Sequence, residues 1–430
     1  MQGIFFPHCF PTPIPDGTDG KPSISTSGKR YFKIWLKCCC FERRPDELFG
    51  PGKTADVFSS KTYERRGTKS TLYRKTIRKI LSWPEKIKTH FMKYNVLGNT
   101  GLKVSELCLG TMTFGGKGRF KAIGSLGQEP VDALVKRSVE AGINFIDTAN
   151  VYSEGWSEEL TGQAIHNLGL DRQSLVVATK VRGKMGEGPN DSGLTRKHIF
   201  QQAEASLRRL KTDYIDLYQI HSYDPLTPLE ETLSALDDLV KSGKVRYIGA
   251  SNMAAWQLMK ALGYSTYHRI AKFVSLQAYY TIAGRDLERE LIPLLTDQKV
   301  GLMVWSPLAG GLLSGKYSRH EEKKEGGRRV NFDFPPVNRD RVFNIIDILI
   351  PMAAKKRTSV AQLALAWLLQ QPSVSTVIIG ANTVEQLNDN LQSVEVTFSA
   401  EELAQIDTVS RLPVEYPGWM LEFTGADRKL

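Results

Sequence analysis

The sequence predicts an α/β protein, a (β/α)8 TIM barrel entered through an N-terminal hairpin and preceded by a basic extension. Three observations predict it. After Tyr94, short apolar runs alternate eight times with segments of helical period. The runs are apolar on both faces, as strands sheathed by helices must be. A hairpin pattern stands directly in front of them. An open, doubly wound sheet fits less well, because the glycines of GNTGLKVSELCLG do not make a G-x-G-x-x-G turn after a strand.

Taken in order, residues 1–90 mix Pro, Gly, Ser and basic residues, and composition predicts low order there. Their one conspicuous patch is YFKIWLKCCCFERR. Its cysteines and aromatics beside Lys37, Arg43 and Arg44 suit acylation at an acidic membrane surface, against the plainer reading of a poorly ordered extension. TLYRKTIRKILSWPEKIKTHF predicts a basic amphipathic helix broken near Pro84. Residues 91–412 form the barrel body, opening on the hairpin YNVLGNTGLKVSEL, with Gly98, Asn99 and Gly101 in its turn. The strands are LCLG (107–110), INFID (143–147), LVVATK (175–180), YIDLYQIH (214–221), VRYIGAS (245–251), FVSLQ (273–277), GLMVWS (301–306) and TVIIG (376–380). Between them, PVDALVKRSVEAG sets Val131, Leu134, Val135, Ser138 and Val139 on one side and stops at Gly142. Thr195 caps the segment TRKHIFQQAEASLRRL, and PLEETLSALDDLVKSG ends at Gly243. Residues 413–430 form a tail, whose aromatics either cover the barrel mouth or pack beneath it.

Charge narrows the class of function. The net charge of +11 suggests a nucleic-acid or membrane partner until it is located. Residues 1–90 hold 18 Lys and Arg against 8 Asp and Glu, a net of +10, which leaves +1 for the rest. The body therefore has no nucleic-acid signature. Cys9, Cys38, Cys39, Cys40 and Cys108 make neither a disulfide framework nor a zinc pattern, so a reducing, cytoplasmic setting is expected and no metal. No apolar run reaches the length of a membrane span, and the first residues lack the pattern of a secretory signal.

The chemistry sits at strand ends. In such barrels the carboxyl ends of the strands converge on one face. Asp147 ends the second strand, Lys180 the third and His221 the fourth, while Tyr152 lies in the loop above the second. Each alone has an ordinary explanation in a loop or a core. At equivalent ends of neighbouring strands they surround one space. A phenol titrating near pH 10 is a poor proton shuttle, but a buried lysine favours its ionised form, and Asp147 would compensate that lysine. His221 is suited to orient a carbonyl. The set polarises a C=O beside a proton donor and lacks only a hydride source.

Residues 94–400 resemble the aldo-keto reductase family. The resemblance rests on FIDTAxxYxxGxSEExxG from Asp147 to Gly162, YIDLYQIH at 214–221, GKVRYIGASN at 243–252, WSPLAGGLLSGKY at 305–317 and VIIGANTVEQLNDNLQ at 377–392. It is similar to a bacterial-type branch related to the voltage-gated potassium-channel beta subunits. The resemblance implies Tyr152 as general acid in carbonyl reduction, with Lys180 and Asp147 assisting and His221 orienting substrate. It also implies that Ser251, Asn252 and Gln277 meet the nicotinamide carboxamide and that Trp305 stacks on its ring. Ser306, Pro307, Leu308 and Gly310 would run beside the pyrophosphate, with Lys316 as a phosphate contact. Gly380, Thr383, Gln386 and Asn390 would take the adenosine-phosphate end.

The better-known animal reductases place a lysine where this chain has Gly380, and an arginine where it has Gln386. NADPH remains the expected cofactor, with NADH use open. Lys316, Arg319, Arg328 or Arg329 would supply the missing charge. The insertion VRGKMGEGPNDSG reads as a loop over the site, with Trp156 and Tyr223 as pocket candidates. The expected function is reduction of a small aldehyde or ketone, the alternative a cofactor-holding regulatory subunit. Self-association into a homo-oligomer is left open by the sequence.

Overall fold

The computed structural model of the chain describes residues 92–319, 329 and 332–425. The basic extension expected over residues 1–90, and Arg328, lie outside the described residues. The hairpin pairs β1 (Tyr94–Val96) antiparallel with β2 (Lys103–Ser105). Gly98, at its tip, has a φ of +59°, and a side chain there would meet the Val274 carbonyl oxygen at 2.1 Å. Only glycine lets the tip lie this close to the barrel strands. Leu97 and Val104 join Cys108, Phe145, Val176, Ala178, Leu217 and Met303 in an apolar cluster that fills this end of the barrel. The opposite mouth is the one left for chemistry.

Eight parallel strands close the barrel. They are β3 (Leu107–Gly110), β4 (Phe145–Asp147), β5 (Val176–Val181), β6 (Ile215–Ile220), β7 (Val245–Ser251), β8 (Phe273–Tyr279), β9 (Gly301–Trp305) and β10 (Val374–Ile379), with β10 returning to pair with β3. All eight expected strands are present. β4 begins two residues later than INFID suggests, because the Asn144 amide is spent on the hairpin, its Oδ1 accepting from Ser105 N at 2.8 Å. β8 runs two residues further, to Tyr279 opposite Trp305, and β10 starts earlier, ahead of a register shift between Val374 and Thr376.

Helices sheathe the strands: α1 (Gln128–Glu140), α2 (Trp156–Asn167), α3 (Arg196–Leu210), α4 (Leu229–Lys241), α5 (Ala255–His268), α6 (Leu291–Gln298), α7 (Arg339–Lys356), α8 (Val360–Leu369) and α9 (Val384–Leu391). α1 buries Val131, Leu134, Val135 and Ser138 and ends before Gly142, whose φ of +91° needs glycine. Thr195 Oγ1 caps α3 by accepting from His198 N at 3.3 Å. α8 buries nearly every side chain, each worth about 1.5–3 kcal/mol for the larger aliphatic ones. α10 (Ala400–Ser410) is held at its start by a capping box of Ser399 and Glu402, and α11 (Gly418–Thr424) buries none of its residues. Among the described residues, no helix is long and apolar enough to cross a membrane.

Candidate active site

Strand register assembles the site. Asp147 pairs with Ala178, Lys180 with Gln219, and Ser251 with Gln277, so alternate residues of β4, β5, β6, β7 and β8 point to one interior level. The motif around Asp147 also packs this wall. Ser157 Oγ donates to the Thr111 carbonyl at 2.8 Å, and buried Glu158 accepts from Thr179 Oγ1 at 2.5 Å and Arg209 Nε at 2.6 Å. A side chain at Gly162 would meet the Leu210 carbonyl oxygen at 2.5 Å, so glycine lets α2 lie against α3.

Lys180 is the centre. Its ammonium is fully buried and donates to Asp147 Oδ2 at 2.5 Å, the Thr148 carbonyl at 2.9 Å and Tyr152 Oη at 3.3 Å. Three donors thus meet three acceptors. Burial alone would lower the ammonium's pKa, but the Asp147 carboxylate and then Tyr152 reverse this and hold it above its ordinary value. Lys180 stays charged. Asp147 Oδ1 accepts from Gln219 Nε2 and from Gln277 Nε2, both at 2.9 Å, so both carboxylate oxygens are satisfied.

His221 stands across from the phenol, its ring centroid 5.7 Å from that of Tyr152 at 75°. Burial, then the positive charges of Lys180, Arg119 and Arg182, push its pKa down to about 3. The imidazole is therefore neutral in the physiological range, free to donate one hydrogen bond and accept another.

Asp147, Tyr152 and His221 open onto a cavity of about 570 Å³ at this mouth, with Lys180 beneath its floor. A sequence model of the aldo/keto reductase family matches residues 106–411. The chain belongs to the aldo/keto reductase family. The uncharacterized oxidoreductase YrpG of Bacillus subtilis is 38% identical over 326 residues, covering 74% of this chain and 96% of its own length. Versiconal hemiacetal acetate reductase of Aspergillus parasiticus is 36% identical over 336 residues, covering 74% and 96%. A probable voltage-gated potassium channel subunit beta of Arabidopsis thaliana is 37% identical over 310 residues, covering 71% and 92%. Family membership and the buried network make the protein an NAD(P)H-dependent oxidoreductase that reduces aldehyde or ketone carbonyls.

In this aldo/keto reductase the cavity extends from the Tyr152 pocket into a cleft lined by Ser251, Asn252, Gln277, Trp305, Ser306, Pro307, Leu308, Gly310, Gly380, Gln386 and Asn390. The cleft fits a dinucleotide on one structural ground. Gly380 lines it without a positive φ, and a side chain there would meet no atom within 4 Å, so neither backbone nor packing demands glycine while a closely approaching ligand would. Asn252, at a φ of +49°, ties the cleft to the pocket. Its Nδ2 donates to the His221 carbonyl at 2.9 Å, and its Oδ1 accepts from Trp305 Nε1 at 3.1 Å. The ring parallel to Trp305 in the structure is Phe334, 5.9 Å away.

Two residues assigned to the cofactor by resemblance do not line this cleft. Lys316 is exposed on the turn after Gly315, and Thr383 spends its hydroxyl capping α9 through Gln386 N at 3.3 Å. The candidate charges are spent as well: Arg319 pairs with Asp347, and buried Arg329 donates to the Ala309 and Pro335 carbonyls, both at 2.7 Å. None of residues 181–193 lines the cavity, because that loop closes on itself through Met185 N to the Asp191 carbonyl and Gly188 N to Asp191 Oδ2, both at 2.8 Å. Trp156 packs under Lys117 instead, Tyr223 packs edge-on against Trp256, and none of the described tail residues, 413–425, lines the cavity.

The sequence reading missed Gln219, although it lies two residues before His221 on β6 and alternation alone puts it on the interior face. It also missed another part of the cavity lining, formed by Met112, Arg119, Phe120, Ile123, Phe332 and Phe334. No motif marked those positions.

Proposed function

We propose that this enzyme reduces its carbonyl substrate with NADPH, Tyr152 donating the proton to the carbonyl oxygen. The observation that carries the reading is the single ammonium of Lys180 bridging Asp147 and Tyr152 below the cavity floor. The dinucleotide supplies a hydride, so one carbonyl, one hydride and one proton give one alcohol and the oxidised cofactor. Tyr152 presents its hydroxyl to the pocket, and the charge of Lys180 stabilises the phenolate left behind. Asp147 keeps Lys180 protonated and fixed, while Gln219 and Gln277 fix Asp147. Neutral His221 hydrogen-bonds the substrate oxygen and fixes the face presented to Tyr152.

Asn252, Ser251 and Gln277 are suited to the nicotinamide end, Ser306 to Gly310 to the pyrophosphate, and Gly380, Gln386 and Asn390 to the adenosine end. Sustained oxidation of NADPH, over many turnovers per enzyme, with simple aldehydes tests the reading. A single turnover at most across the panel would overturn it.

A second reading has its own support. Relatives from Arabidopsis thaliana, rice and Schizosaccharomyces pombe carry the name of voltage-gated potassium channel beta subunits at 36–37% identity. On that reading the chain belongs to the branch near those subunits and holds cofactor as a sensor. Tight NADPH binding without multiple turnover would favour it.

A further inference from the structure

One end of the cavity carries a formal charge that no described residue answers. Among the described residues that line the cavity, only Arg119 and Asp147 are charged at neutral pH, and the Asp147 charge is matched by Lys180. Arg119 has no hydrogen bond or ion pair among the described residues. Glu154 lies close by, its Oε1 2.6 Å from where a side chain at Gly118 would begin, yet it does not pair with Arg119. The Arg119 guanidinium is instead held over the Phe120 ring, 5.1 Å from the centroid. Phe120 is buried, and its ring also meets that of Tyr152, at a centroid distance of 5.4 Å. The cation and the phenol thus flank one ring. Met112, Ile123, Phe332 and Phe334 line the same end and offer apolar surface to the body of a ligand. The field of Arg119 also reaches His221.

We propose that Arg119 anchors an anionic group of the substrate, so that the carbonyls this enzyme takes best are apolar or aromatic aldehydes and ketones bearing a carboxylate about one aromatic ring's width from the reacting carbonyl. The proposal rests on the reductase reading above and names the substrate class of that same site. A guanidinium held in place by an aromatic face offers a carboxylate two parallel N–H donors in a fixed fork. Arg119 is exposed at the rim of the cavity, so the contact is open to salt and acts mainly on orientation and selectivity. Substrates lacking the charge would still bind through their apolar body, with less selection for orientation.

The test uses the full chain with NADPH and compares 4-carboxybenzaldehyde with its neutral methyl ester, methyl 4-formylbenzoate, which has a similar ring and carbonyl. For the wild type, kcat/KM should favour the acid by about tenfold, or about 1.4 kcal/mol. In Arg119→Gln the ratio of the two kcat/KM values should fall to near unity, whatever happens to the absolute rates, and Arg119→Lys should keep part of it. High salt should erode the wild-type preference. If the wild type shows no preference, or the Arg119→Gln ratio is unchanged, the proposal fails and the reductase reading stands. If Arg119→Gln weakens NADPH affinity and lowers both aldehydes equally, Arg119 serves the cofactor and the proposal also fails. If the wild type turns over neither aldehyde nor any other, both readings fall together.

Discussion

Asp147→Asn preserves the shape of the side chain and removes its charge, and the structure fixes both the size and the pH signature of the result. Lys180 is fully buried, with Asp147 Oδ2, the Thr148 carbonyl and Tyr152 Oη as its partners. Removing one member of a buried pair costs about 3–5 kcal/mol, since the other charge is left uncompensated. In the wild type the Lys180 pKa is raised on folding, so its contribution is fully present below the unfolded value and is lost only as pH climbs through the folded one. In the variant, burial is opposed by much less, and the folded pKa drops below the unfolded value. The unfolded chain then binds the extra proton, and stability rises with pH by at most about 1.4 kcal/mol per unit. Urea unfolding of both proteins from about pH 7 to about pH 9.5 measures this. The deficit of the variant should be largest at neutral pH and shrink as pH rises. A deficit under about 1 kcal/mol, or one that does not shrink, would refute the assignment of Asp147 as the group that keeps Lys180 charged.

Gln219→Leu leaves Asp147 Oδ1 with Gln277 alone, and urea unfolding should show a loss of about 1–3 kcal/mol. His221, with its pKa depressed to about 3, stays neutral as pH falls through the usual histidine range. A profile of kcat/KM between about pH 5 and 8 should therefore show no inflection that disappears in His221→Asn. Gly380→Val puts a side chain into open cleft, so stability should change by no more than about 0.5 kcal/mol while the NADPH Kd rises at least about tenfold. Unchanged affinity in a stable Gly380→Val protein would remove Gly380 from the cofactor cleft.

The barrel was legible because its strands are short apolar runs between helical segments, a pattern set by burial on both faces. The positions of Asp147, Lys180 and His221 followed from that pattern, since a strand end in such a barrel has one place to go. Gln219 was equally accessible through alternation along β6, but an uncharged residue inside YIDLYQIH draws no attention until its partner is known. The 111–123 segment was not legible. Its path depends on Gly115 and Gly116 at positive φ, and on Gly124, where a side chain would meet the Thr113 carbonyl oxygen at 2.3 Å. These are long-range fits that no local pattern announces. Thr383 was ambiguous in the sequence because a hydroxyl at a helix start serves equally as an N-cap and as a phosphate ligand, and here its oxygen accepts the cap bond. The 181–193 loop was misjudged because its glycines and Asp191 serve its own closure.

The most direct test of the account compares the intact chain with Tyr152→Phe, following NADPH oxidation with a simple aldehyde and, separately, NADPH binding. On the proposed reading Tyr152 gives the carbonyl its proton, and its phenol touches the cavity while Lys180 lies beneath. The account predicts that kcat/KM falls by about a hundredfold or more while NADPH affinity stays within about twofold. Turnover in Tyr152→Phe at the wild-type rate would contradict it.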